Sequence, residues 1–291
     1  MTAAALQQLF LELSPPLAPQ PTGLEPDTAG LRARPPRAVL LDVYGTMVLS
    51  AAGEIANDAG TSVSHDPVAQ ALAAERLDPA LFGWDDLRAA ITRRHAQLRA
   101  DGASHPEVEI RSLWRQLLAT AGVDAPAPLV ERLAARCEIA ANPCWPEPTL
   151  ATTLARLAAV GIPLGIVSNA QFYTRAMLEA FLGRPLDAAG IRPELEAWSF
   201  AEGVGKPEPA LYHSAARRLL DSCGIAAADT VMVGNDIRND IAPARQAGLR
   251  GVLYAGDLRS LRLRRDDPQL AAERPHATIT SLAQLADACL G

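Results

Sequence analysis

A single strand-like run, isolated from all the others by a long helical stretch, limits what this chain of 291 residues can become. Ala38-Val39-Leu40-Leu41 reads as a short buried strand. No comparable run follows until Pro163–Val167. Between them, from about Ser50 to Pro148, apolar positions recur at helical spacing over Pro67–Leu77, Trp84–Asp101, Glu107–Ala121 and Pro128–Ala141. Asp78-Pro79, Gly102 and Asn142-Pro143 interrupt that pattern. The acids of Trp84-Asp85-Asp86 and His105-Pro106-Glu107 suit a first helical turn, where they complement the dipole.

After Pro148 the rhythm becomes helix and strand in alternation. Helices are expected over Thr149–Ala159, Phe172–Leu182, Glu208–Leu220, Ile237–Ala247 and Ser281–Leu290. Strands are expected over Pro163–Val167, Ala197–Phe200, Thr230–Val233, Gly251–Tyr254 and near His276–Ile279. Alternation of this kind implies an α/β fold: a doubly wound parallel sheet with helices on both faces. The helical block between the first strand and the rest reads as an inserted domain. The expected organisation is residues 1–36 as an N-terminal extension, 37–49 and 149–291 as the core, and 50–148 as a helical insert. In the extension, Leu6, Leu9, Phe10 and Leu13 have helical spacing and precede a Pro-rich link to Pro36. That helix either docks on the body or frays.

A net charge of −6 argues against a general nucleic-acid binder. The four cysteines lack paired metal-ligand spacing and fit a reducing cytoplasm better than a disulfide framework. No stretch approaches a membrane span, and the N-terminus lacks the basic region of a signal peptide. A cytoplasmic chain acting on a small molecule is the expectation.

Four segments lie where an open α/β sheet puts its chemistry, after the carboxyl ends of strands. Asp42-Val43-Tyr44-Gly45-Thr46 offers a carboxylate able to act as a nucleophile. Ser168-Asn169 offers a hydroxyl and an amide. Gly205-Lys206-Pro207 offers a cation, and Gly234-Asn235-Asp236-Ile237-Arg238-Asn239-Asp240 offers an acidic cluster. The set suits transfer of an anionic group, with Lys206 and Ser168 on its oxygens and a metal among the acids. In the insert, His105, Glu107, Glu109 and Arg111 are candidate substrate contacts, although a solvated helix start explains each as well. The run Arg259, Arg262, Arg264 and Arg265 could attract an anion, or form a solvated loop with Asp266 and Asp267.

The order and spacing of these segments resemble the haloacid dehalogenase superfamily, over about Arg37 to Leu290. The resemblance implies a Rossmann-like core with an inserted helical cap, and hydrolysis, usually of phosphate esters. It makes Asp42 the nucleophile and Lys206 its stabilising cation. Ser168 would bind the transferred group beside Asn169 and Thr46. Mg²⁺ is implied, held by Asp42, the Tyr44 carbonyl and the fourth segment. Two departures accompany it. Family phosphatases carry an Asp proton donor where this chain has Tyr44, whereas Tyr there, like Tyr212, is typical of the metal-independent 2-haloacid dehalogenases. Asp236 and Asp240 weigh for the phosphatases. The metal ligand of the fourth segment is Asn235 if Gly234 sets the register, and Asp236 if Asn239-Asp240 does; a carboxylate is the stronger ligand for a hard cation. The leading expectation is a Mg²⁺-dependent phosphohydrolase. The alternatives are a 2-haloacid dehalogenase and a catalytically weak protein that binds a phosphorylated ligand.

Overall fold

The computed structural model describes residues 1–52 and 65–290, so part of the expected insert, residues 53–64, lies outside the described residues. In chain order, helices α1 (Ala3–Leu13) and α2 (Ala29–Ala33) precede strands β1 (Ala38–Leu41) and β2 (Val48–Ser50). Helices α3 (Pro67–Ala74), α4 (Trp84–Ala100), α5 (Ile110–Thr120) and α6 (Ala127–Ala141) form the insert, which β3 (Cys144–Pro146) closes. Then follow α7 (Leu150–Ala159), β4 (Leu164–Ser168), α8 (Thr174–Leu182), β5 (Ile191–Trp198), α9 (Ser199–Glu202) and α10 (Pro209–Cys223). The chain ends with β6 (Thr230–Gly234), α11 (Ala242–Gln246), β7 (Arg250–Tyr254), β8 (Ala277–Ile279) and α12 (Leu282–Leu290).

Six strands form a parallel sheet in the order β5-β4-β1-β6-β7-β8. Strand β1 is buried at every position and lies between β4 and β6. The sheet reverses its winding there, so the carboxyl ends of β1, β4 and β6 converge on one crevice. The expected doubly wound fold with an inserted helical cap is what forms.

Several local expectations give way. The strand foreseen at Ala197–Phe200 is instead the eight-residue β5, and Ser199–Glu202 is helical. Arg192-Pro193-Glu194 hides the strand from a periodicity reading, and Pro193 is tolerated because β5 is a sheet edge. The helix foreseen over Ile237–Ala247 starts as a wide π turn, Ile237–Ile241, before α11. Pro243 has no N–H to donate to the Asn239 carbonyl, and the Tyr212 hydroxyl donates to that carbonyl instead. An antiparallel pair, β2 with β3, ties the two ends of the insert together and places Trp145 opposite Leu49. Trp145 thereby sits at the insert–core junction, its ring 5.7 Å from that of Phe181 on α8.

The N-terminal helix docks. Leu6, Leu9 and Phe10 are buried, and α1 lies against both α8 of the core and α6 of the insert. Burial of such side chains favours docking by roughly 1.5–3 kcal/mol each, before ordering entropy is counted. The Pro-rich link runs across the core, where Thr22 donates to the Ala255 carbonyl and Asp27 bridges to Thr278. No helix among the described residues is long and apolar enough to cross a membrane.

Candidate active site

Strand β1 delivers Asp42 to the crevice. The turn that follows depends on Gly45, whose φ of +81° is open to glycine and strained for other residues. A side chain there would also sit 2.6 Å from the Ser260 Cβ. Strand β4 delivers Ser168, whose hydroxyl donates to Asp42 Oδ1 at 3.0 Å. The loop into α10 delivers Lys206, whose Nζ lies 2.6 Å from Asp42 Oδ1 and 2.7 Å from Asp240 Oδ1. Asn169 fixes that loop, its Oδ1 accepting from the Lys206 amide at 2.7 Å. Thr46 donates toward Asp42 Oδ2 at 3.4 Å and Asn235 Oδ1 at 3.2 Å, so it stands between the two. Gly234 is required because a Cβ there would collide with the Asp240 carboxyl.

The two candidates of the fourth segment, Asn235 and Asp236, face different partners. Asn235 turns its Oδ1 to Thr46, whose hydroxyl also faces Asp42. Asp236 points elsewhere: Arg264 grips it through both carboxylate oxygens, and it accepts from the Arg238 amide at 2.8 Å. Asp236, the ligand preferred on chemical grounds, is thus held by other partners in this arrangement. One residue of offset turns it from the cluster to a guanidinium and to capping the π turn. Asp240 is likewise engaged, by Lys206 and by the Asp236 amide.

Burial works against the charge of Lys206, but Asp240 and Asp42 outweigh it and raise its proton affinity. Burial also pushes the Asp240 carboxyl up to about 7; Lys206 opposes the shift while Asp42 and Asp236 add to it. Tyr44 donates to or accepts from Thr174 Oγ1 at 2.9 Å. Burial, followed by the nearby Glu138 carboxylate, pushes its phenol well above the usual range. It is a poor acid in this setting.

Among the described residues no group of three or more His, Cys, Asp and Glu is arranged to hold a metal. The oxygens that do converge are those of Asp42 and Asn235, and Ser260 Oγ is buried close by without a hydrogen-bond partner. These are hard donors, and Mg²⁺ characteristically binds through one or two carboxylates and several waters. The set fits such an ion on fewer carboxylates than Asp42, Asp236 and Asp240 together would have given.

A cleft of about 630 Å³ opens above Asp42, between the sheet edge and the insert. Of the insert candidates, His105 and Glu107 line it. Glu109 and Arg111 do not; Glu109 caps α5, and Arg111 pairs with it at 2.6 Å while stacking over Phe172. Arg262 and Arg264 line the cleft, and Asp267 pairs with Arg238 rather than with its arginine neighbours. The lining residues with no signal in the sequence include His95, Arg99 and Glu138. Glu138 accepts from Tyr173 at 2.9 Å and Asn142 at 3.3 Å. Glu107 accepts from Ser199, Gln171 and the Val108 amide. Burial raises both carboxyls. Helical spacing marked these residues only as helix or helix start and held no signal for which face meets the cleft.

The sequence model of the haloacid dehalogenase-like hydrolases matches residues 36–248. The chain is a haloacid dehalogenase-like hydrolase. Curated relatives of the hydrolase include rat phospholysine phosphohistidine inorganic pyrophosphate phosphatase, 32% identical over 37% of this chain and 38% of that protein. A bovine haloacid dehalogenase-like hydrolase domain-containing protein 2 is 33% identical over 34% of this chain and 35% of that protein. The hydrolase thus spans little more than a third of the length of the curated relatives it matches. Among solved structures, a 2-haloacid dehalogenase from Pseudomonas syringae pv. Tomato DC3000 superposes with a TM-score of 0.54 at 21% identity, covering 87% of this chain and 97% of that one. A defluorinating L-2-haloacid dehalogenase gives 0.53 at 19% identity, covering 94% and 100%. These two likenesses concern the fold.

Proposed function

We propose that this hydrolase cleaves small-molecule phosphate monoesters, with Mg²⁺, through an aspartyl-phosphate on Asp42. The cleft carries this reading. At about 630 Å³, lined largely by charged and polar side chains, it is far larger and more polar than a short 2-halo acid requires. In this reading Asp42 attacks phosphorus, and the bond from phosphorus to the leaving oxygen breaks with its electron pair going to that oxygen. Water then attacks phosphorus and regenerates the carboxylate. Ser168 and Lys206 hold Asp42 in line and balance its charge, while Asn169 positions Lys206. Mg²⁺ held by Asp42, the Tyr44 carbonyl and Asn235 would neutralise charge on the phosphoryl group. The helical insert, α3 to α6, serves as the cap that excludes water.

The weak acidity of Tyr44 has a consequence for substrate choice. General acid catalysis typically contributes ~10²–10⁴-fold, so esters whose leaving groups need no proton are the better substrates. A panel of aryl and alkyl phosphates assayed with Mg²⁺ and with EDTA tests this. Mg²⁺-dependent phosphate release, faster from the aryl esters, is expected; no release from any ester overturns the reading. One observation favours a second reading, 2-haloacid dehalogenation: Tyr44 stands where a proton donor would stand, and a departing halide needs none. Halide release from 2-haloalkanoates, insensitive to EDTA, would select it.

A further inference from the structure

Every carboxylate that lines the cleft already has partners: Asp42 and Asp240 on Lys206, Asp236 on Arg264, and Glu107 and Glu138 on neutral donors. The cations are not all matched in return. Arg99, in the last turn of cap helix α4, and Arg262, in the loop after β7, both line the cleft. Neither has a carboxylate partner among the described residues; the hydrogen bonds of the Arg262 side chain go to the Arg259 and Leu261 carbonyls of its own loop. His95, one turn before Arg99, also lines the cleft and has its Nε2 buried without a hydrogen-bond partner. The recognition capacity left over in the cleft is therefore cationic, and it is supplied from both walls.

We infer that the cleft takes phosphate esters bearing a second anionic group, a carboxylate or a further phosphoryl-type anion, held between Arg99 of the cap and Arg262 of the core. The inference rests on the phosphohydrolase reading and names its substrate class.

The test compares phenyl phosphate with its 4-carboxymethyl, 4-phosphonomethyl and 4-(2-aminoethyl) derivatives, whose methylene spacers keep the leaving groups alike. The two anionic esters should exceed phenyl phosphate in kcat/KM by about tenfold, the worth of one charge-assisted contact, mainly through KM. The cationic ester should fall below it. Arg99→Gln and Arg262→Gln should each remove most of the anionic advantage, and Arg262→Lys should keep part of it. Titration of the same esters into the Asp42→Asn protein gives a readout independent of turnover. Equal kcat/KM and equal binding across the series overturn the inference. So do arginine variants that lower phenyl phosphate as much as the anionic esters, since the arginines would then serve the transferred phosphoryl group. If wild type turns over no ester, the phosphohydrolase reading fails, and the binding series still decides whether the cleft prefers a second anion.

Discussion

The core wall and the cap wall of the cleft reach their geometry by different means. On the core side, Asp42, Ser168 and Asn235 each leave the end of a fully buried strand, and the parallel register of β1 with β4 and β6 fixes their spacing. The charge of Asp42 is matched at short range by Lys206 within a buried cluster. On the cap side, Arg99 and Glu138 project from the helices α4 and α6, and His105 and Glu107 from the loop before α5. A pleated sheet edge positions a side chain within a rigid frame, whereas a docked helix positions it only as well as its packing holds. Core substitutions should therefore act on the rate of chemistry, and cap substitutions on KM.

Lys206→Met should break the core side most severely. It removes the charge that steadies Asp42, at a cost of ~10²–10³-fold in kcat, and leaves two buried carboxylates without a cation. Loss of one partner from a buried ion pair typically costs about 3–5 kcal/mol, so chemical denaturation should show a much less stable protein. An unchanged kcat would place Lys206 outside the chemistry.

Asn235 and Asp236 sharpen the contrast within the core wall. Asn235→Asp puts a second carboxylate beside Asp42 and should tighten activation by Mg²⁺ about tenfold, as added ligand charge does at hard-cation sites. Asp236→Asn should leave the Mg²⁺ dependence in place and instead destabilise the fold by about 1–3 kcal/mol, because the charge-assisted contact between Asp236 and Arg264 is weakened and the cap of the π turn altered. A Mg²⁺ titration and a denaturation curve for each variant separate the two effects. The reverse pattern would assign the ligand role to Asp236.

The smallest effect belongs to the cap. Burial raises the Glu138 carboxyl above its ordinary 4.5, with Tyr173 and Asn142 opposing the shift. The native state therefore binds this proton more tightly than the unfolded chain, and stability falls as pH rises from about 4.5 through the folded value. Glu138→Gln should flatten that slope, measured by thermal unfolding between pH 4 and 7, while altering kcat only slightly. A slope identical to wild type contradicts the assignment.

The same contrast explains what could be read from the sequence. Asp42, Ser168 and Asn235 follow apolar runs that read as strands, so their placement on one edge followed from the α/β alternation. The direction of Asp236 did not, because it depends on Arg264, distant in sequence, and on a π turn set by capping and Pro243. Strand β5 was truncated by Pro193 and its charged neighbours, and the β2–β3 pair by its short strands, three residues each, split by the whole insert. Docking of α1 rests on long-range packing that its own periodicity allows without specifying. In the cap, Glu138 and Arg99 carry the marks of ordinary amphipathic helices, and only tertiary packing turns them toward the cleft.

The central claim is that Asp42 is the nucleophile for phosphoryl transfer, and trapping its adduct tests that most directly. Rapid quenching with an aryl phosphate and Mg²⁺, followed by borohydride reduction and peptide mass spectrometry, should convert position 42 to homoserine in the wild type and give none in Asp42→Asn. Phosphate release without an adduct at Asp42, or an adduct on another residue, would contradict the account.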